Sequence, residues 1–349
     1  MFDVAIIGGG PGGATCAALC AASGRRVLLL ERSRFPREKV CGDCLNPLAW
    51  DALDKLGVSG EVLLSPHVKL EGVRFFGLNG GSLRVPLPAS SRPELGITRG
   101  RLDAILLQNA RNKGADIQEE TTLTSIKRHA NHWQLDSDNG SFLARELVAA
   151  DGRNSSVARL LGLLPPLLAN ERIGLQTHFQ TPAGLDADIE LHFLREGYAG
   201  LAPVGQGTAN LCLVSRSRDL KSIKAAATQK YELPEKQPWR SITPLSRAAL
   251  LPAQENLWLV GDAARVVEPF TGEGIAYAIR SGALCAEAIL AQRPERYLAA
   301  HRDLYKGRLW VNHLARAACL FPELGTNFVR FGKVFPQALR LLTSKVVRG

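Results

Sequence analysis

Phe2-Asp3-Val4-Ala5-Ile6-Ile7-Gly8-Gly9-Gly10-Pro11-Gly12-Gly13 opens the chain with a β-branched apolar run that breaks at once into glycine. Residues 14–23 then have helix-forming composition, and residues 27–30 are a second short apolar run. Strand, turn, helix, turn and strand within about 30 residues is the spacing of a βαβ unit, whose connection length requires parallel pairing through a right-handed crossover. The glycines spell Gly-x-Gly-x-x-Gly after a strand and at a helix start, the context that gives the motif its meaning. Gly8 permits the tight turn, Gly10 lets backbone approach a pyrophosphate and Gly13 lets the helix pack on the strand. Pro11 and Gly12 complete the loop, and the pyrophosphate rests on the free N–H groups of the helix start. Eighteen residues after Gly13, Glu31 ends the second run, where a carboxylate can accept from ribose hydroxyls, with Arg32 beside it.

The rest of the 349 residues are those of a folded protein: 46% apolar and aromatic, 22% charged, which excludes disorder as the default. The N-terminal run is too short and lacks the basic flank of a secretory signal, and no uninterrupted apolar stretch reaches the ~20 residues that span a bilayer, so a cytoplasmic location is expected. Seven cysteines, an odd number, argue for reduced thiols and against a disulfide framework. The net charge of +10 could attract an anionic cofactor, lipid or nucleic acid, but no basic run interleaved with aromatics appears, so nucleic acid is not an expected partner.

Along the chain, residues 63–88 alternate apolar and polar with glycine punctuation, as antiparallel strands do, and residues 101–113 return to helical spacing that stops at Gly114. Strands are expected at 123–127, 133–136, 141–143 and 146–149, and a separate sheet at 173–179, 189–193 and 209–214 that could cover a substrate. Residues 257–260 form a buried-type strand and 274–291 a long helix.

Two further signals bear on chemistry. Ala150-Asp151-Gly152-Arg153-Asn154-Ser155-Ser156 follows an apolar strand, and on its own it is a turn with an N-cap at Asn154 or Ser155. Leu257-Trp258-Leu259-Val260-Gly261-Asp262-Ala263-Ala264 puts a carboxylate at a strand end, suited to accept from a polyol. It is followed by Glu268-Pro269-Phe270-Thr271-Gly272-Glu273-Gly274, where glycines at another helix start bring positive partial charge to an anionic ring.

These signals, in this order, resemble the flavoprotein superfamily that includes para-hydroxybenzoate hydroxylase, flavin-dependent halogenases and geranylgeranyl reductases, over roughly residues 1–290. The resemblance implies an α/β fold: a Rossmann-like FAD-binding domain of glutathione reductase type, an inserted antiparallel-sheet substrate domain and C-terminal helices. The FAD-binding domain would take residues 1–65, 95–165 and 250–295, the substrate-binding sheet domain 66–94 and 166–249, and the helical segment 296–349. It implies FAD as cofactor, bound by Gly8, Gly10, Pro11, Gly12, Gly13, Glu31, Arg32, Asp151, Gly261 and Asp262. Pro269, Gly272 and Gly274 would face the isoalloxazine. Ile97-Thr98-Arg99-Gly100-Arg101-Leu102-Asp103 is similar to the segment whose arginine reaches FAD, a role assigned to Arg99, although Arg101 could substitute.

Phe35-Pro36-Arg37-Glu38-Lys39-Val40-Cys41-Gly42-Asp43 looks most like the Lys-x-Cys-Gly segment of the geranylgeranyl reductase branch, where the cysteine lies near flavin and substrate, so Cys41 is a catalytic candidate. Cys41 and Cys44 have Cys-x-x-Cys spacing, read as two free thiols in preference to a disulfide. No further cysteine or histidine pair completes a metal site. Tyr198, in Glu196-Gly197-Tyr198-Ala199-Gly200, is similar to the aromatic segment on the substrate side of that branch, although its usual tryptophan is absent; a core aromatic of a strand is the other reading. The halogenase Trp-x-Trp-x-Ile-Pro segment is absent. The implied activity is hydride transfer through flavin N5 to or from a carbon–carbon bond of an apolar, isoprenoid- or polyketide-like substrate. A monooxygenase that hydroxylates an aromatic substrate with NAD(P)H and oxygen stays open, as does a non-enzymatic flavin protein. No second glycine-rich nucleotide motif is present, so electrons would come from NAD(P)H bound transiently or from a protein donor.

The C-terminal stretch scatters Arg308, Arg316, Arg330, Lys333, Arg340, Lys345 and Arg348 among Trp310, Leu314, Phe321, Phe328, Phe331, Phe335, Leu339, Leu341 and Leu342. Such a segment could rest at an anionic membrane surface as a peripheral contact. Alternatively, its helices, interrupted at Pro322 and Pro336, pack on the catalytic domain.

Overall fold

The computed structural model describes residues 1–166 and 172–334. β1 (Phe2–Ile7) and β2 (Val27–Leu30) pair in parallel, Val4 opposite Val27 through Ile7 opposite Leu30, joined by α1 (Pro11–Ala22). The helix starts at Pro11, earlier than its composition suggests, because a proline in the first turn loses no hydrogen bond and presets φ.

The next stretch departs from the pattern in part. β3 (Cys44–Leu45), α2 (Trp50–Leu56), α3 (Ser59–Leu64) and β4 (Val68–Lys69) precede the hairpin of β5 (Gly72–Phe76) and β6 (Ser82–Pro86), so a helix end occupies the start of the expected strand region. β7 (Leu95–Gly96) joins β3 and β4 in a three-stranded sheet, and α4 (Arg99–Asn112) follows. After β8 (Asp116–Gln118), β9 (Leu123–Arg128) and β10 (Trp133–Ser137), β11 (Gly140–Ala149) is one strand and not the expected two. Its polar pair does not break the ladder, because Arg145 reaches out to Asp3 at 3.6 Å while Glu146 accepts from Trp258 Nε1 at 2.8 Å.

α5 (Ser156–Leu160) is capped by Ser155, whose Oγ accepts from the Ala158 N–H. β12 (Arg172–Gln180), β13 (Asp188–Leu194), β14 (Gly197–Gly205), β15 (Thr208–Arg216), α6 (Leu220–Lys230) and β16 (Arg240–Ile242) build the second sheet and its cover. β14 has no alternation to read because it is buried on both faces. The chain returns through β17 (Ala253–Gln254), β18 (Leu257–Leu259) and α7 (Gly274–Ala291), then ends in α8 (Pro294–Tyr305), α9 (Leu309–Leu320) and α10 (Pro322–Val334).

The fold is thus mixed α/β. The larger sheet runs β17-β18-β11-β1-β2-β8, with β18, β11, β1, β2 and β8 mutually parallel and β10 and β9 hanging from β11. The seven-stranded sheet runs β16-β12-β15-β14-β13-β5-β6 and is antiparallel except between β13 and β5.

α1 and α7 lie against one face of the larger sheet and touch backbone to backbone. A Cβ on Gly282 of α7 would sit 2.2 Å from the Gly12 carbonyl oxygen. α7 is long and apolar enough to cross a bilayer by length and composition, and 61% of it is buried within the protein. α9 and α10 pack on the seven-stranded sheet, with Val329 beside Phe75 and Phe193. The tail residues Phe335, Pro336, Leu339, Arg340, Leu341, Leu342, Lys345 and Arg348 lie outside the described residues.

Gly282→Ala separates two opposing effects. Helix propensity favours alanine by about 1 kcal/mol, whereas overpacking against a backbone carbonyl costs about 1–3 kcal/mol, at the upper end when the neighbour cannot turn aside. The variant is expected to unfold at a lower temperature than the parent in a thermal melt of the flavin-free protein. Gly60→Ala, where a Cβ would meet nothing within 4 Å, is expected to melt no lower than the parent.

Candidate active site

The glycine loop is held from behind. Gly8 adopts φ +106°, and its N–H donates to the Leu30 carbonyl at 2.8 Å. Glu31 Oε2 accepts from the Gly9 N–H at 2.8 Å and Oε1 from the Ser33 N–H at 2.9 Å, so the carboxylate fastens the loop to the end of β2. In front, a Cβ on Gly10 would meet only cationic side chains, Arg37 Nη2 at 3.7 Å and Arg99 Nη2 at 3.9 Å.

Both guanidiniums are steered by Asp103. Arg99 is bidentate to it at 2.8 and 2.7 Å, and Arg37 Nη1 lies 3.1 Å from Oδ2. Burial works against the Arg99 charge, and Asp103 outweighs it, leaving the group firmly protonated. Lys39 lines the same space, its ammonium 3.1 Å from where a Gly152 Cβ would stand. Burial first, then Arg99 and Arg37, bring it down to about 8. Arg37 also lies 3.8 Å from Glu31 Oε1 through its Nε, so three cations face two carboxylates beside a helix N-terminus; one positive charge is left over, and a diphosphate fits that donor set.

On the other side, Arg153 Nη2 donates to Asp262 Oδ2 at 3.0 Å, and Arg247 Nη2 donates to the Asp262 and Ala263 carbonyls at 2.6 and 2.8 Å. Asp151 lies behind this pair, where its Oδ2 accepts from the Val157 N–H at 3.0 Å. Residues 269–271 form a single tight turn, Gly272 takes φ +68°, and α7 begins at Gly274. Glu273 beneath the turn is buried and held by Arg308 at 2.5 Å and by the Tyr277 hydroxyl at 2.9 Å.

Between these groups opens a cavity of about 320 Å³. It runs from Gly10 and Gly12 past Cys41 and Gly272 into a chamber lined by Phe75, Leu191, Phe193, Leu213, Phe270 and Phe328. Tyr198 borders the chamber, buried, with its ring edge-on to Phe270 at 5.3 Å.

Cys41 is carried on a turn that the second sheet grips. Its carbonyl accepts from Gln176 Nε2 at 3.0 Å, Asn210 Nδ2 at 2.8 Å and the Cys212 thiol at 3.1 Å. Two residues on, Asp43 sits at φ +56° with Oδ2 2.6 Å from His178 Nε2. Burial opposes charge on both partners; the Asp43 carboxyl ends above its usual range, and Asp43 raises His178 against desolvation. Burial pushes the Cys41 thiol up, opposed by Arg99, so the neutral thiol faces the cavity. Cys41 and Cys44 are both free thiols.

The structure brings Gly10, Pro11, Gly12, Cys41, Arg99, Tyr198, Gly261, Asp262, Pro269, Gly272 and Gly274 to this one cavity. Gly8, Gly13, Glu31 and Asp151 stand behind its wall, and Arg32 is exposed. Arg101 turns away to Gln206, which leaves Arg99 at the loop. Sequence reasoning missed Arg37, Lys39, Arg153, Glu94 and the polar pair Gln176 and Asn210. The signal for the last two was there to read: amides at buried positions of strands.

The FAD binding domain family matches residues 1–178. A menaquinone reductase of Mycobacterium tuberculosis is 30% identical over 97% of this chain and 83% of its own length. A digeranylgeranylglycerophospholipid reductase of Thermoplasma volcanium is 28% identical over 82% of this chain and 77% of its own. Among solved structures, a triple mutant of the flavin-dependent brominase Bmp2 superposes with a TM-score of 0.80 at 20% identity, covering 99% of this chain and 95% of that one, which shows the shared fold.

Two outcomes follow from the loop. Gly10→Val fills the space before the two guanidiniums, and FAD affinity by equilibrium dialysis is expected to fall at least tenfold while the far-ultraviolet circular dichroism stays unchanged. Binding a diphosphate raises the Lys39 pKa from its depressed value, so FAD binding is expected to take up protons between about pH 8 and 9. Calorimetry in two buffers of different ionisation heat reads that uptake, and Lys39→Gln should abolish it.

Proposed function

This chain belongs to the FAD binding domain family and is an FAD-dependent oxidoreductase, and from that premise we propose that it reduces a carbon–carbon double bond in a polyprenyl, quinone-like substrate. The observation that carries the reading is the apolar chamber, lined by phenylalanine and aliphatic side chains and continuous with the glycine loop. A cavity of that lining takes a long apolar chain and offers few polar contacts to a small charged one. The names of the two reductase relatives support the same substrate class.

Bound FAD supplies the hydride, from N5 of its reduced ring. The protein's own share is to bind and orient. Arg37, Lys39 and Arg99 would hold the diphosphate, Asp262 would accept from the ribityl chain or lie at the pyrophosphate, and the turn at Gly272 would face the ring. Tyr198 and Phe270 position the chain, and the phenylalanine lining keeps water from the reacting carbons. Cys41 presents its neutral thiol at the junction of the cofactor and substrate regions. Leu314 both lines the cavity and is 49% exposed on α9, and Phe321 and Leu324 are 59% and 51% exposed. Together with Arg330 and Lys333, exposed on α10, these exposed apolar side chains support substrate entry from an anionic lipid surface. The electron donor is NAD(P)H or a partner protein.

The test is anaerobic turnover of a polyprenyl naphthoquinone by the dithionite-reduced protein, read by mass spectrometry. Dithionite itself takes the ring to the quinol, so the product is re-oxidised to the quinone before analysis; a side chain that has gained two hydrogens and no oxygen is expected, and Cys41→Ser should lower its rate of formation about tenfold with flavin content unchanged. An unaltered side chain under those conditions, with oxygen incorporated once air is admitted, would overturn the reading.

A further inference from the structure

Glu94 lies just before β7, 6% exposed, and its side chain lines the cavity beside the turn that precedes α7. Oε1 stands 3.8 Å from where a Cβ on Gly272 would be. The backbone around it is fixed: the Glu94 carbonyl accepts from the Leu70 N–H at 2.9 Å, and the Pro93 carbonyl from Trp50 Nε1 at 2.9 Å. Among the described residues its carboxyl has no hydrogen-bond or ion-pair partner. The titratable groups that face it are the Cys44 thiol on β3 and Glu273 at the start of α7. Neither favours a negative charge: Cys44 stays a thiol, and Glu273 has its own partner in Arg308.

We infer that Glu94 donates a hydrogen bond from its protonated carboxyl to a carbonyl oxygen of the ligand, a quinone or ketone, so that the cavity recognises an apolar molecule by one polar atom. Burial, then the neighbouring Glu273, hold the group up at about 8, so the O–H form prevails at neutral pH. A buried donor facing an apolar chamber is unsatisfied until a ligand supplies the acceptor. A cation would need the carboxylate, and an anion would meet two acidic side chains. A neutral carbonyl oxygen has the complementary chemistry.

The inference rests on the apolar-ligand reading above, and two probes separate their failures. 2,3-Dimethyl-1,4-naphthoquinone carries the carbonyls with both thiol-reactive ring positions blocked, as the cysteines lining the cavity require; 2,3-dimethylnaphthalene lacks the carbonyls. Binding to the oxidised, FAD-loaded protein is followed by flavin fluorescence, with no turnover involved. Quinone affinity is expected to fall about tenfold between about pH 7 and pH 9.5, the worth of one hydrogen bond, as the carboxyl loses its proton. Hydrocarbon affinity should stay level.

Lys39, at the far end of the cavity, titrates at about 8 in the flavin-free protein and higher once the diphosphate is bound, and the variants separate its contribution from that of Glu94. Glu94→Gln, whose amide can still donate, should bind the quinone at neutral pH within about threefold of the parent and lose the alkaline decline; Glu94→Leu should bind it about tenfold more weakly at every pH. A quinone affinity that is flat with pH in the parent, or a decline that persists in Glu94→Gln, overturns the role of Glu94 and leaves the apolar reading standing. If neither probe binds the parent, both fall together. A Glu94→Gln protein with a shifted flavin spectrum and unchanged quinone binding would assign the carboxyl to the cofactor and also overturn the proposal.

Discussion

The backbone contact between α1 and α7 is the constraint on which the site depends. Gly282 and Gly12 let the two helices approach until a Cβ on the first would stand 2.2 Å from the carbonyl of the second. That approach brings two helix N-termini to the same edge of the larger sheet, one at Pro11 and one at Gly274, although more than 260 residues lie between them in the sequence. Each presents free N–H groups and partial positive charge to the same groove. A bulkier residue at either glycine would separate the helices and with them the two ends of the cofactor region.

The second sheet is tied to this frame through the turn at Cys41. Three donors from β12 and β15 converge on one carbonyl, and His178 on the same sheet closes on Asp43. Cys41 therefore sits where the seven-stranded sheet puts it, although it lies in the sequence directly after the FAD-binding βαβ unit. The site is split the same way: the loop and the cations gather where a diphosphate fits, with Asp262 on the other side, while β13, β14, α9 and α10 surround the chamber. Charge gathers at one end of the cavity and apolar surface at the other, with Glu94 and the cysteines between them.

How much of this was legible depends on the range of the interaction. The βαβ unit could be read from residues 2–31 because each of its determinants is local: a short apolar run, glycines at a fixed spacing and a carboxylate at the strand end. The same holds for α7 and for the Ser155 cap, both set by neighbours a few residues away. β14 could not be read, since a strand buried on both faces has no period, and the join in β11 depended on Arg145 and Glu146 finding partners in other strands. By itself the sequence determined the cofactor-binding half of the fold and the candidates Gly10, Arg99, Asp262 and Cys41, for which the pattern of neighbours carries the chemistry. Only the tertiary structure decided that Arg37 and Lys39 share the loop with Arg99, that Gln176 and Asn210 grip Cys41, and that Glu94 enters the cavity with no partner among the described residues. The physical reason is that charge compensation and burial are properties of distance in space, and residues 94 and 273, or 41 and 210, become neighbours only after the sheets have formed.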